Sequence, residues 1–592
     1  MHNKFYLLLC LVFFMSFSHY GKACSKRAVI SVSTQVEFER LNTNVHKNLK
    51  EGFEDIQVKF SPGVFYYNEE HIRLTAFENT SLSISFVGNN TTLIANGKNF
   101  YPSPKSSLGL SYTGSDDCFG KTYLSNKNDL IDLDGEVMMS SSLVEVVDKE
   151  KKLCRILTHY NGPLTTGMRI LITEWYKSSI YPVKAIKDKY VYFTADDLKM
   201  SPSYHCYNVN LDYGFSKGKC YPRYRIFNES SKSKAFIDNK IFYTCNNVSY
   251  VHECNASRFL YASDLDIKSL KIQGIEFIGN KESSSLFQFN KVNAEEIIIT
   301  KCIFRFLRNY VALVNSSNNF TFDDNIVEKC FFKSILSDNG SKNTVIQRNV
   351  FLNSGARLNN QGCVDCRGEN YHIHHNEFKN FTYSAISVGL YYQSEMLNPA
   401  CGIVEYNTIW YDNDYFDNYY KYTLMDSGAI YVTTQNNKAN IRFNVIHDYI
   451  GMYANRGIFC DTGSKNVEIY GNAIWNIPNS NAIELWNVKE PEVLVPDANT
   501  RNKVYDNIIG GKYQFESKKG GNSIHEKNIV LYSTGDVVPQ VILKQLDSSE
   551  EDVFIEGLES QGGVLYLPKS SKRVLSKSSA YSNPILKVHF RE

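Results

Sequence analysis

The most constraining feature of this chain is a short motif, Asn-x-[Ile/Val/Phe], that recurs seven times between residues 325 and 509. Successive copies lie 24, 27, 31, 37, 28 and 35 residues apart and begin at Asn325, Asn349, Asn376, Asn407, Asn444, Asn472 and Asn507. Most copies follow a short alternation of apolar and polar residues, such as 467–471, which indicates strands. No long segment with a helical period stands between the copies. A repeat of this length indicates one unit stacked on itself, and the pattern predicts an all-β chain forming a right-handed parallel β-helix.

The rhythm of this repeat divides the 592-residue chain into five segments. The main solenoid is predicted at 263–515, and its opening coils and N-terminal cap at 24–100. Between them the rhythm breaks, and a strand pair around Lys187-Asp188 predicts an inserted antiparallel β module at 101–262. After the last copy we expect a C-terminal cap at 516–592, because the open end of a solenoid exposes a sheet edge.

The remaining segment, residues 1–23, has the pattern of a secretory signal. Lys4 precedes an apolar run at 5–17, and small residues occupy the predicted cleavage site. The run is too short for a membrane span. Cys24 follows directly, so a lipid anchor on this cysteine is an alternative to simple cleavage. We therefore expect a secreted, periplasmic or cell-surface protein.

The charge of the chain gives no reason to expect nucleic acid or an anionic membrane as partner. There are 64 Lys and Arg against 62 Asp and Glu. Lys4 and Lys22 leave with the signal, so the mature chain is neutral. Aromatic residues make up 14% of the chain, which suits both strands and surfaces that stack against sugars.

The Asn motif is expected to have a structural role, with stacked side-chain amides hydrogen-bonded along the solenoid axis. Functional residues should therefore lie on another strand of each coil. Five runs align there, starting at Val364, Ile386, Ile430, Ile458 and Ile483. Their first and third positions are apolar and should point inward. The second positions then form one outward row, Asp365, Ser387, Tyr431, Phe459 and Glu484. The fourth positions form another, Arg367, Gly389, Thr433, Asp461 and Trp486.

Acids, aromatic rings and an arginine on one sheet face suit carbohydrate binding and cleavage. Asp426 precedes a small-residue turn that opens one strand, and Asp461 ends the equivalent strand one coil later. Adjacent strands lie about 4.8 Å apart, so carboxylates on neighbouring coils can approach the separations that glycosidases use. An ordinary solvated sheet face with incidental charges remains the alternative at this point.

Residues 426–431, 444–448 and 457–464 resemble the corresponding motifs of right-handed β-helix glycoside hydrolases, the β-xylosidase and α-fucosidase/xylanase-type families. The resemblance covers most of residues 50–515 and implies a glycoside hydrolase. We expect no cofactor and no metal. It implies that Asp426 and Asp461 form the acid pair. The chain departs from the family pattern at Phe459-Cys460 and at Thr462, so Glu484 is kept as a further candidate acid.

The same face supplies candidate substrate contacts, namely Asp365, Arg367, Tyr431 and Trp486, and His447 is added as a candidate for binding a hydroxyl or orienting an acid. Two other functions stay open. A polysaccharide lyase would use Lys or His as base and Arg367 or Arg456 to neutralise a uronate, and a carbohydrate-binding solenoid would need no catalysis. The pair His372 and His374 on one strand face, without a third ligand at suitable spacing, argues against a metal site.

Overall fold

The computed structural model describes residues 26–67, 69–95, 140–194 and 223–253 with gaps, and 258–591 with gaps, the longest being 355–361, 390–399, 413–426, 486–501, 511–523 and 533–552. The signal at 1–23, Cys24, Asp426 and Trp486 lie outside the described residues. Within the described part, 31 strands join one sheet whose pairings are parallel. Parallel strands paired coil after coil form a solenoid with three faces, so the predicted parallel β-helix is confirmed.

Sheet A is the face predicted to carry the site. It begins with the first part of the long strand Ile72–Ala95 and continues through Leu260–Ile278 and Phe287–Thr300, each of which bends from one face to the next. The strands that follow are Ala312–Asn315, Ile335–Ser337, Gly362–Cys366, Ser384–Val388, Ser427–Val432, Asn455–Cys460 and Ile483–Leu485.

Sheet B follows sheet A in each coil, and sheet C follows the Asn motif. Besides parts of the long strands, sheet B contains Arg27–Val32, Asp55–Phe60, Phe320–Asp323, Val345–Gln347, Tyr371–His374, Ala400–Glu405, Asn436–Arg442, Val467–Tyr470, Lys503–Tyr505 and Ile524–Glu526. Sheet C contains Gly63–Tyr67, Ile303–Arg305, Ile326–Glu328, Val350–Ser354, Glu377–Phe381, Thr408–Trp410, Val445–His447, Ala473–Trp475, Ile508–Gly510, Ile529–Tyr532 and Val553–Glu556. The parallel pairing thus continues past residue 515, as far as residue 556.

The repeated Asn side chains form a buried ladder at the corner between sheets B and C. Asn325 donates its amide to the Asn349 carbonyl at 3.0 Å, and the same bond repeats in every coil up to Asn528. The residue before each ladder Asn has a left-handed backbone, as at Tyr406 with φ 52°. This sharp turn directs the amide inward, where stacked apolar side chains form one continuous core.

The inserted module is a separate antiparallel structure, as predicted. Seven strands form one sheet, Ser140–Ser141, Val144–Asp148, Leu153–Leu157, Arg169–Thr173, Ser178–Lys187, Tyr190–Thr194 and Arg223–Phe227, and a hairpin joins Lys240–Cys245 to Val248–Glu253. The predicted turn at Lys187-Asp188 is present, because Tyr190 pairs with Lys187. The module has its own small apolar core, which includes Ile156 and Phe193.

Both ends of the chain pack against the solenoid. Helices Gln35–Glu39 and Leu41–Lys50 bury Phe38, Leu41 and Val45 in the main core. The C-terminal segment contains strands Glu559–Gln561, Val564–Pro568 and Lys587–Arg591, helix Lys572–Leu575 and 3-10 turns at Lys569–Ser571 and Ser579–Ser582. It forms an apolar cluster with the outer side of sheet C. None of the helices in the described part reaches the length and apolar character that a membrane span requires.

Candidate active site

The outward rows of sheet A have the register that the sequence predicts. Asp365 pairs with Ser387, Ser387 with Tyr431, Tyr431 with Phe459, and Phe459 with Glu484. The second row follows from backbone bonds that continue the ladder, including the Asp461 amide to the Val432 carbonyl at 2.9 Å. Of the predicted site residues, sheet A therefore brings Asp365, Arg367, Tyr431, Asp461 and Glu484 onto one face.

Asp461 lies directly after the strand Asn455–Cys460, at the edge of this face. The Tyr431 hydroxyl on the preceding coil donates a hydrogen bond to its Oδ2. The Asp461 backbone carbonyl accepts a hydrogen bond from the Ser464 hydroxyl at 2.7 Å. The Asp461 carboxylate is half-buried, whereas Tyr431 is almost fully enclosed.

Glu484 lies one coil after Asp461, and two side chains bind its carboxylate. Arg456 donates two hydrogen bonds, from Nε to Oε2 at 2.8 Å and from Nη2 to Oε1 at 3.0 Å, and Asn481 donates a third at 2.8 Å. The side chains of Arg456 and Glu484 are each only 5% exposed. The Arg456 guanidinium also lies 4.0 Å over the Phe459 ring. A planar fork of this kind fixes the carboxylate in one orientation.

The approach of Arg456 to Glu484 depends on a bend that strict alternation does not predict. Arg456 precedes the inward Ile458 by two residues, and side chains two apart on a strand share a face, so Arg456 should point inward. A glycine stands at the equivalent place one coil earlier, and a Cβ on this Gly428 would lie 2.8 Å from the Cβ of Phe459, which is an outward residue. Side chains at this corner therefore face the outward row of the next coil, which brings Arg456 to Glu484.

Asp461 and Glu484 are the closest pair of candidate acids in the described part of sheet A. They lie on adjacent strands, and the pairing of Cys460 with Leu485 offsets them by two residues. Spacings of about 4.8 Å between strands and about 3.3 Å per residue put their Cα atoms about 8 Å apart. This separation lets their carboxyl groups flank a glycosidic bond at distances that glycosidases use.

Asp365 lies at the other end of the aligned runs, in a separate charged cluster. Lys333 bonds its Oδ2, and Arg367 donates from Nε at 3.2 Å and from Nη2 at 2.8 Å. Burial by itself raises the pKa of the Asp365 carboxyl, but the charges of Lys333 and Arg367 outweigh it and hold this pKa below its usual value. Four strand intervals, about 19 Å, separate Asp365 from Glu484, so the two cannot act on one bond.

His447, the further candidate for substrate binding, lies on a different face from the acid pair. It lies on sheet C, between the rings of Trp410 and Trp475 at centroid distances of 5.6 and 5.1 Å. Its Nδ1 bonds Asp448 at 2.8 Å, and the C-terminal segment covers its Nε2 at Gly563. The sequence placed His447 after the Asn turn, but it could not show that a remote segment closes over this side chain.

The histidine strand is also remote from the acid pair. His372 lies on sheet B and bonds Glu405 at 2.8 Å, and Arg442 bonds the same carboxylate at 2.6 Å. Among the residues that the structure describes, no cluster of three or more His, Cys, Asp or Glu has the arrangement of a metal site.

Sequence reasoning missed Lys333 as a site residue and assigned Arg456 only to the lyase alternative. Asn481 was missed as well. Each stands two residues before an inward apolar residue of sheet A, so a search of this corner position for polar side chains would have found them.

Comparisons with known proteins find two similar solved structures, and neither similarity is close enough to carry an argument. The sequence matches no family profile and no curated protein. One solved structure, described as a glycoside hydrolase, aligns with 87% of this chain and 97% of its own, at 9% identity and a TM-score of 0.49. Another, described as XylC in complex with xylose, aligns with 89% of this chain and 70% of its own, at 9% identity and a TM-score of 0.28. The activity must therefore be argued from the site.

Proposed function

We propose that this chain is a secreted glycoside hydrolase whose acid pair is Asp461 and Glu484. The observation that carries the proposal is their placement on adjacent strands of one outward face, about 8 Å apart between Cα atoms. Hydrolysis of a glycosidic bond needs one carboxyl group to protonate the leaving oxygen and a second to act as base or nucleophile. The residues around the pair supply the orientation that such chemistry requires.

The two carboxylates have different neighbours, which supports a division of roles. Asp461 accepts a hydrogen bond from the phenol of Tyr431, whereas Glu484 lies in the fork of Arg456. Acid and base assignments arise where two carboxyl groups are held in unlike environments. The predicted export signal supports a substrate outside the cytoplasm, such as a polysaccharide or an oligosaccharide derived from one.

The test is a screen of the mature protein against an array of polysaccharides and oligosaccharides, with reducing ends and ultraviolet absorbance measured in parallel. A hydrolase releases reducing ends without an unsaturated product. On the glycan that responds, Asp461→Asn and Glu484→Gln should each lower kcat by about 10²- to 10⁴-fold while the fold is retained.

Matched controls separate the site from general effects of charge removal. Asp324 is exposed on a turn with φ 55°, a conformation that Asn tolerates, so Asp324→Asn should keep full activity. Glu468, ion-paired with Lys503 on sheet B, provides Glu468→Gln as the second control. If Asp461→Asn or Glu484→Gln keeps parental activity, the proposed pair is wrong, and a loss in Asp426→Asn would then favour the pair implied by the family resemblance.

One observation favours a lyase as a second candidate. Lys333 is 3% exposed, and burial lowers its pKa against the raising effect of Asp365. A lysine of lowered pKa next to Arg367 has the make-up of a base beside a cation that neutralises a uronate. In the same screen, a lyase would give an ultraviolet-absorbing product on an acidic polymer and lose it in Lys333→Met, with Asp461→Asn unaffected.

A further inference from the structure

The charged cluster around Asp365 has no part in the proposed hydrolysis, yet it occupies the same face. We name it the Asp365 cluster, and it comprises Lys333, Asp338, Asp365 and Arg367. Asp365 and Arg367 stand in the two outward rows, so the cluster lies on the same face of sheet A as the acid pair. A polymer bound along sheet A from Glu484 would reach this cluster after four strand intervals, about 19 Å.

The inner part of the cluster is fixed. Lys333 and Asp365 are only 3% and 6% exposed in their side chains, and they bond each other. The lowered pKa of Asp365 keeps it anionic, so it orients the guanidinium of Arg367 through Nε and Nη2. The arginine is therefore held in place before any ligand arrives, which reduces the entropy that binding must overcome.

The outer edge of Arg367 is different. Its side chain is 27% exposed, and Nη1 lies 3.6 Å from Oδ1 of Asp338, which is itself 37% exposed. This distance is longer than a hydrogen bond, so the contact is a loose ion pair at the surface. A carboxylate from solution could take the place of Asp338 at Nη1, because the flat guanidinium edge matches a carboxylate.

We propose that Arg367 binds the carboxylate of a uronic acid unit in the substrate, and that Asp338 is the internal anion that this unit displaces. The proposal rests on the proposed function for the claim that a glycan lies along sheet A. It specifies that function further, because the acid pair then serves an acidic polysaccharide whose uronate lies several sugar units from the cleaved bond. Small neutral glycosides cannot reach both places.

The experiment measures binding without turnover. The full-length mature protein carrying Glu484→Gln is titrated calorimetrically with hexamers of galacturonate and of glucuronate, and with the methyl ester of each. At least one free acid should bind about tenfold or more tightly than its ester, because only the acid offers a charged fork partner to Arg367. Arg367→Gln should abolish this preference.

The Asp338→Asn variant gives a result of opposite sign. Removal of the competing carboxylate should strengthen binding of the free acid several-fold and leave the ester unchanged. Asp338 lies at the surface, so this test stands even if Arg367→Gln fails to fold. Arg348→Gln, on an exposed ion pair of sheet B, and Asp324→Asn are the matched controls and should behave like the parent.

Two results would overturn the subsite, namely equal binding of acid and ester in the parent, or a preference that survives both Arg367→Gln and Asp338→Asn unchanged. Neither result bears on cleavage of a neutral glycan by the parent enzyme, which is measured separately by reducing ends. Conversely, acid-selective binding that responds to both variants supports the subsite, whether or not the parent releases reducing ends. A parent that releases no reducing ends counts against the hydrolase and not against the subsite.

Discussion

At the scale of single residues, the site depends on partners that come from different coils. Tyr431 and Asp461 are 30 positions apart in the sequence, and Arg456 and Glu484 are 28 apart. The outward rows could be predicted, because parallel strands stack without slippage and alternation fixes the face of each side chain. The bonds between these side chains could not, because they depend on rotamers and on the bend at the sheet corner.

The Tyr431 hydroxyl gives the first prediction at this scale. Tyr431→Phe keeps the ring and its contacts with Tyr383 and Phe459 but removes the donor to Asp461. We expect kcat to fall about tenfold, with a smaller change in KM and in melting temperature. Steady-state kinetics on the glycan found by the screen would measure this.

Tyr470→Phe is the matched control, because it removes a hydroxyl bonded to Arg442 at 2.8 Å on sheet B. It should leave kcat unchanged. Equal losses in both variants would indicate a general effect of hydroxyl removal and would argue against a specific role for Tyr431.

His71, in the N-terminal cap, predicts how stability changes with pH. Burial lowers the pKa of His71 to about 4, although its hydrogen bond to the Phe38 backbone acts in the opposite direction. In the unfolded chain the pKa is about 6.5, so the unfolded state binds the extra proton between these values. The contribution of His71 to the free energy of unfolding is therefore fully present above about pH 6.5. It decreases by about 3 kcal/mol in total as the pH drops to about 4.

Replacement of His71 by Phe should remove that share of the pH dependence, since the ring stacks 4.0 Å from Phe38 between apolar neighbours. Melting temperatures at pH 4.5 and 7 would show a smaller difference for His71→Phe than for the parent. His46→Gln, on a half-buried helical histidine, should retain the parental difference. If His71→Phe retains it too, the buried imidazole is not its source.

At the scale of elements, the Asn ladder is what turns a repeated motif into a rigid solenoid. From Asn349 onward, each ladder carbonyl accepts both the side-chain amide and the backbone amide of the preceding Asn, as Asn407 does from Asn376 at 3.0 and 3.1 Å. These groups are buried, so an unpaired one carries the full cost of desolvation. The sequence predicted the ladder because the same side chain must recur at the same corner.

Asn407→Ala should therefore cost about 3 kcal/mol or more, since it removes bonds to Ile373 and Asn444 and leaves the Asn376 amide without its acceptor. The exposed amide row of Asn319, Asn343 and Asn370 provides the comparison. Asn343→Gly, which suits the local φ of 58°, should cost about 1 kcal/mol or less. Thermal unfolding followed by circular dichroism would rank the two, and similar losses would mean that burial is not what makes the ladder strong.

At the scale of the whole molecule, the C-terminal segment covers the outer side of sheet C. It buries Leu565, Leu567 and Leu575 against Trp475 and Ile508 on the outside of sheet C. Asn583 also donates to the Phe443 carbonyl at 2.6 Å, which fastens the segment to the ladder corner. Sheet C is thereby covered over these coils, on a different face from the acid pair.

Loss of this packing should be visible in the environment of Trp475, which is 1% exposed. Leu565→Ala is expected to cost about 2–5 kcal/mol, whereas Val588→Ala, at the half-buried residue paired with it in the register, should cost less. Removal of residues 557–592 should shift tryptophan fluorescence to longer wavelength and promote aggregation. An unchanged emission spectrum in the truncated protein would show that sheet C does not need this cover.

The sequence by itself determined the solenoid, the inserted antiparallel module and the register of sheet A. These features follow from the alternation of apolar and polar residues and from the Asn that recurs at one corner. Both patterns can be read locally, because each coil pairs with the next coil along the chain. Only the tertiary structure decided that Lys333 and Arg456 turn outward to Asp365 and Glu484, and that His447 lies beneath a remote segment. Such contacts depend on the bend between sheets, on the space that Gly428 leaves beside Phe459, and on where the chain end packs.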